Sequence, residues 1–162
     1  MQYDLLASAL EHEHHEIDAG IAAFGAAPTD RQPLTRAVNA LRRHIYLEEE
    51  FLFPLLCQAE PGLAAPVFVM LREHAQIWDM LDALDHATDA DMGAVHTPLK
   101  QLTVQLLHHN LKEEKILYPR ADDLLSPAAT ARLREFLDSA ELPDGWVCVR
   151  ARPASHSHES AG

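Results

Sequence analysis

Two histidines and two glutamates recur in one frame along this chain. His44 is followed four residues on by Glu48, and His109 by Glu113; each pair runs through a second glutamate and apolar residues to a proline, Pro54 and Pro119. The copies lie 65 residues apart. Upstream, Glu13-His14-His15-Glu16-Ile17 is echoed by Glu73-His74-Ala75-Gln76-Ile77 at a separation of 60 residues, which adds one lone histidine to each half. The four imidazoles and two carboxylates, His14, His44, Glu48, His74, His109 and Glu113, are the donor inventory of a dinuclear metal site. Neutral imidazole and carboxylate suit iron, manganese or zinc.

The spacing has a mechanical reason. An α-helix turns about 100° per residue, so residues four apart differ by only about 40°. His44 and Glu48 therefore point the same way, one turn apart; the imidazole can bind one ion while the carboxylate bridges to a second. His109 and Glu113 repeat this from another helix, and His14 and His74 add one terminal nitrogen each. Positions stay open for water or a diatomic ligand. Glu49 and Glu114 fall five residues after their histidines, about 140° round the helix, and are expected to be supporting or surface groups.

Taken singly, a histidine on an apolar helix face is most often a hydrogen-bonded core residue, and one His-x3-Glu pair most often stabilises its own helix. The duplication with two matching lone histidines separates this chain from those cases. His12, His15, His86, His96 and His108 are expected in solvent, and His156 and His158 in a polar tail. Tyr46 and Tyr118 are expected near the bundle ends, with a phenolate ligand as the lesser alternative, and Trp78 in the core. Cys57 and Cys148 lack metal-ligand spacing and read as ordinary reduced thiols.

The elements that must position these groups are helices. Apolar residues make up 48% of 162, glycine is scarce, and no stretch alternates strictly, which favours an all-α chain. Leu10, His14, Ile17, Ile21 and Phe24 share one face of a helix expected from about Tyr3 to Phe24. A second, from near Pro33, carries Ala37, Leu41, His44, Glu48 and Leu52 and is bent or ended by Pro54. A third carries Val67, Met70, His74, Ile77, Leu81 and Leu84. After the polar stretch Thr88 to Gly93, Thr97-Pro98 predicts the start of a fourth, with Leu102, Leu106, His109, Glu113 and Ile116 inward and Pro119 closing it. Ser126-Pro127 opens a short fifth helix with Leu133, Phe136 and Leu137. The pattern predicts an antiparallel four-helix bundle over residues 1–142 with a fifth C-terminal helix, then a tail, 143–162, disordered from Pro153.

In every long helix the candidate ligand takes a place in the apolar stripe where Leu or Ile would be expected. Burying ionisable groups without a partner is costly, and six at one level of a bundle call for a cation. The formal charge of −12 argues against nucleic acid, whose binding rests on Lys and Arg, and against an anionic membrane surface. No apolar run is long enough to span a bilayer, and the first residues lack a signal-peptide pattern. Cytoplasm is the expected location.

These residues resemble the hemerythrin-like family, the HHE cation-binding domain, over about residues 3 to 120. The resemblance implies a non-haem di-iron centre, with His14, His44, His74 and His109 as imidazole ligands and Glu48 and Glu113 as bridges. Oxygen-carrying members have a fifth histidine where this chain has Trp78, and a bridging aspartate where it has Glu114, so a divergent, non-respiratory branch is expected. The family's iron–sulfur repair members carry an additional cysteine-bearing segment before the bundle, whereas this chain begins at the first helix; a repair role is therefore disfavoured. The leading expectation is a protein that binds or senses O2, NO or iron. The competing ones are a di-iron peroxidase, oxidase or NO reductase, and a structural zinc or interaction bundle. Haem is weaker, because paired axial histidines would leave the glutamates unexplained.

Overall fold

The computed structural model describes residues 5–87 and 93–153. All regular structure among them is helical. The first rod is α1 (Leu6–Ala26). The second is α2 (Gln32–Leu47), which passes through a π-helical turn at Glu48–Leu52 into α3 (Phe53–Ala59). A 3-10 turn at Pro61–Leu63 leads into α4 (Ala64–Ala87). The fourth rod repeats the second: α5 (Gly93–Lys112), a π turn at Glu113–Leu117, then α6 (Tyr118–Leu124). The four rods form a helix bundle, and α7 (Pro127–Ser139) packs against α1 and α2. Ser126 caps α7, its Oγ accepting from the Ala129 N–H at 3.1 Å, with Pro127 pre-set at the first position.

Three boundaries differ from the sequence expectation. Neither Pro54 nor Pro119 ends its helix. In each rod the backbone closes a wide i→i+5 ring just before the proline, Phe53 N–H to the Glu48 carbonyl and Tyr118 N–H to the Glu113 carbonyl. The proline then sits in the first turn of a fresh α segment, where its missing N–H costs nothing. The fourth rod starts at Gly93, and Pro98 lies inside it. Buried Val95 extends the Leu99–Leu102–Leu106 stripe one turn earlier, so packing carries the helix past the Thr97-Pro98 start signal. Residues 1–4, 88–92 and 154–162 lie outside the described residues; they include part of the polar loop, most of the tail expected to be disordered, His156 and His158.

The apolar stripes pack into two clusters. One gathers Ile17, Ile21, Phe24, Leu41, Ile77, Leu81, Leu102 and Leu106; the other gathers Leu6, Leu10, Leu52, Phe53, Leu56, Met70, Leu117 and Tyr118. Each fully buried aliphatic side chain contributes about 1.5–3 kcal/mol. His14 lies between Leu10 and Ile17, and His74 between Met70 and Ile77, so the histidines occupy the layer between the two clusters. At Gly20 the α1–α2 approach is close: an added Cβ would meet Ala37 Cβ at 3.0 Å and the Pro33 carbonyl oxygen at 3.2 Å.

After α7, residues 140–153 return to the bundle without helical structure. Cys148 is fully buried, and Trp146 packs edge-on against Trp78 and Tyr46. Both cysteines are free thiols. No helix among the described residues is long and apolar enough to cross a membrane.

Candidate metal centre

The bundle brings all six predicted donors together. His14 comes from α1, His44 from α2, His74 from α4 and His109 from α5, while Glu48 and Glu113 each open a π turn. All six are buried, Glu48, His74 and Glu113 with no exposed surface at all. Glu48 Oε1 lies 3.4 Å from His44 Nε2 on its own rod and 3.5 Å from His74 Nε2 across the bundle. Glu113 Oε1 lies 3.2 Å from His109 Nε2 on its own rod and 3.3 Å from His14 Nε2 across it. Each carboxylate thus stands between a local imidazole and a distant one. Two clusters result that could each hold a metal ion, Glu48–His74–His109–Glu113 and His14–His44–Glu113; within each, the donor atoms lie within 4.8 Å of one another.

The electrostatics of this layer favour a cation. Glu48 Oε1, His74 Nε2 and Glu113 Oε2 are buried, lack hydrogen-bond partners and face one another, with His74 Nε2 3.9 Å from Glu113 Oε2. Orphaned buried polar atoms are costly. Burial and the neighbouring Glu113 charge push the Glu48 carboxyl up. Against its burial, the imidazoles of His109 and His14 hold Glu113 well below the usual range, so the two carboxyls are pushed apart. Burial opposes charge on His44, yet Glu48, Glu13 and Glu113 push it up to about 9. His74 and His109 are raised in the same way, against burial, by their carboxylate neighbours. Protons therefore do in the metal-free protein what a metal cation would do in the loaded one.

A second ring of carboxylates orients the imidazoles. His44 Nδ1–H donates to Glu13 Oε1 at 2.9 Å, His109 Nδ1–H to Glu73 Oε1 at 3.1 Å, and His74 Nδ1–H to Glu49 Oε2 at 2.7 Å. Each leaves Nε2 turned to the centre, as carboxylate–histidine–metal triads require. His14 Nδ1 has no hydrogen-bond partner, and Glu114 stands 3.7 Å from it. The pattern obeys an internal two-fold relation: Glu13 and Glu73, each one residue before a lone histidine, support the histidine of the neighbouring rod. The Glu-His echo in the sequence carried that signal, although nothing along the chain says which partner helix each glutamate would reach. His12, His15, His86, His96 and His108 are exposed.

Tyr118 corrects the expectation that it packs near a bundle end. Its hydroxyl lies 2.9 Å from Nε2 of both His14 and His44 and donates to Glu48 Oε2 at 3.0 Å. Burial and the Glu113 and Glu48 charges hold that hydroxyl protonated, well above its usual pKa. The π turn is the reason. In a regular helix Tyr118 would stand about 140° away from Glu113; the i→i+5 ring brings it round to the same face. Ile116, expected inward, is turned out to 47% exposure, and Leu117 is buried in its place. Phe53 holds the position equivalent to Tyr118 in the other half and stacks on His74 at 5.8 Å between ring centroids. One hydroxyl breaks the two-fold.

The description Hemerythrin HHE cation binding domain matches residues 5–121. The chain belongs to the hemerythrin family. Among curated proteins it is similar to the iron-sulfur cluster repair protein YtfE of Yersinia pestis (strain Pestoides F), at 29% identity over 111 residues, 60% of this chain and 50% of that protein. It is similar to YtfE of Yersinia pseudotuberculosis serotype O:1b (strain IP 31758), at 29% identity over 98 residues, 54% of this chain and 44% of that protein. The chain therefore spans about half the length of the curated relatives it matches. No solved structure matches it significantly. The hemerythrin match ends within α6, so α7 and residues 140–153 lie beyond it.

Proposed function

We propose that this protein is a non-haem di-iron protein of the hemerythrin type, which binds or senses O2 or NO. The observation that carries this reading is the buried layer of four imidazoles and two carboxylates, with unpartnered atoms facing one another between two apolar clusters. His14 and His44 would hold one ion and His74 and His109 the other, with Glu48 and Glu113 supplying carboxylate oxygens; zinc and manganese suit the same donors. The bound pair of irons would supply a redox-active centre able to take a diatomic ligand. Tyr118 supplies a hydrogen bond or an oxygen donor on the His14–His44 side, whereas Phe53 presents an apolar wall on the His74 side. The layer excludes bulk water because every donor side chain is buried. Glu13, Glu73 and Glu49 keep three imidazoles in the orientation that presents Nε2.

A second reading, a di-iron oxidoreductase or a role in iron–sulfur centre repair, draws support from the repair proteins this chain is similar to. Metal analysis with an aerobic optical spectrum on untagged, iron-loaded protein tests the main reading. Two irons per chain with near-ultraviolet oxo-to-iron absorption are expected. Colourless protein holding stoichiometric zinc after expression with iron would overturn it in favour of a structural bundle. Steady-state turnover of peroxide or NO would move the function to the second reading.

A further inference from the structure

We infer that the C-terminal segment 137–149, beyond the hemerythrin match, is a positioning element for the metal layer: it steadies His74 through Glu49, and His44 through Arg43 and Glu13. Two chains of hydrogen bonds run from this segment to the site. In the first, the Val149 N–H donates to Glu49 Oε1 at 2.8 Å, and Glu49 Oε2 accepts from His74 Nδ1–H at 2.7 Å. In the second, Arg43 donates to the Leu137 carbonyl at 2.9 Å and the Ala140 carbonyl at 3.1 Å. These carbonyls belong to the C-terminal end of α7, where the last carbonyls have no partners within the helix and attract cations. The same guanidinium donates to Glu13 Oε2 at 3.3 Å, and Glu13 Oε1 accepts from His44 Nδ1–H.

The internal two-fold supplies the control. Glu114 is the counterpart of Glu49. The Glu49 side chain, under the returning segment, is 3% exposed and bonded to His74. The Glu114 side chain is 20% exposed and stands 3.7 Å from His14 Nδ1, which has no hydrogen-bond partner. The same Glu-after-bridge position is thus tight in one half of the repeat and slack in the other. The segment is itself anchored: Trp146 Nε1–H donates to Glu50 Oε1 at 3.0 Å and its ring packs on Trp78 at 5.5 Å between centroids. Trp78 lies one turn after His74, so the segment meets this stretch of α4 directly through Trp146 and reaches His74 through Glu49. A carboxylate held at both oxygens cannot swing away from its imidazole, and His74 keeps its Nε2 directed inward. Loss of such a support lowers metal affinity by 10–100-fold in comparable sites. The hydrogen bonds exist whether or not the histidines bind metal; their effect on an ion rests on the ligand reading above.

The test compares wild-type protein with Val149→Pro, which removes the one N–H, and Trp146→Ala, which loosens the segment without touching Glu49. Histidine side-chain nitrogen NMR is recorded on metal-free and zinc-loaded protein, and zinc affinity is titrated. In both variants the His74 resonances should shift while those of His14 stay in place, and one of two zinc sites should weaken about 10–100-fold. In a Glu49→Gln background, Val149→Pro should add almost nothing, because both act through one carboxylate. Unchanged His74 resonances in the folded variants would overturn the inference, as would equal shifts at His14 and His74. A wild-type protein that takes up neither zinc nor iron would refute the metal reading, and the metal-free NMR comparison would still decide whether the segment positions His74.

Discussion

Loading zinc into the metal-free protein should release protons at pH 7, and the grip on the ion should tighten as pH rises. His44 is pushed up to about 9, so at pH 7 about 99% of it carries a proton that a metal must displace. That displacement costs about 3 kcal/mol at pH 7 and vanishes near pH 9. His74 and His109 are shifted the same way, so roughly one to three protons should leave as the layer fills. The logarithm of the zinc affinity should rise by that number per pH unit through neutrality. Calorimetry in two buffers of equal pH and different ionisation enthalpy counts the protons directly. Heats independent of the buffer, with an affinity flat from pH 6 to 8, would show that the imidazoles are already neutral and would refute the electrostatic reasoning. The same shift fixes the sign for metal-free stability. His44 is raised above its unfolded value of 6.5, so its contribution of about 3 kcal/mol is full below pH 6.5 and is lost as pH rises through about 9. Glu113, held below 4.5, contributes above that pH and loses its effect as pH falls through its folded value. Urea midpoints of the metal-free protein should therefore peak at about pH 4.5–6.5, and metal loading should move the peak upward.

Tyr118→Phe removes the hydroxyl shared by His14, His44 and Glu48; the metal-free protein should lose about 1–3 kcal/mol, read as a lower urea midpoint. Glu13→Gln and Glu73→Gln should each lower metal affinity about 10–100-fold with the circular dichroism spectrum unchanged. Gly20→Ala forces a methyl to 3.0 Å from Ala37 Cβ and should cost about 1–3 kcal/mol, with the metal content of the folded protein unaltered. Leu81→Ala opens a cavity at a fully buried position and should cost about 2–5 kcal/mol, again without changing metal content.

Much of the site was legible because its information is local and duplicated. His-x3-Glu on a helix fixes a shared face whatever the helix packs against, and the lone histidines fall in stripes whose neighbours, Leu10 and Ile17 or Met70 and Ile77, are plainly apolar. What escaped notice depends on departures from regular rotation or on contacts across the bundle. Tyr118 and Ile116 depart from the faces their spacing predicts because each lies within or just after a π turn, which the 3.6-residue period does not anticipate. Glu13 and Glu73 belong to the Glu-His echo, but their partners sit on other rods. Pro98, Pro54 and Pro119 show packing and a widened turn overriding local signals.

By itself, then, the amino-acid order determined the helical class, the stripes, the six inward histidine and glutamate side chains and their repeat in two halves, since each follows from periodicity along one helix. Only the tertiary structure decided which glutamate orients which histidine, that Tyr118 enters the layer while Phe53 walls the other side, and that residues after α7 reach back to Glu49 and Arg43. Those relations join residues up to 104 positions apart, and no periodicity along the chain encodes a distance across a bundle.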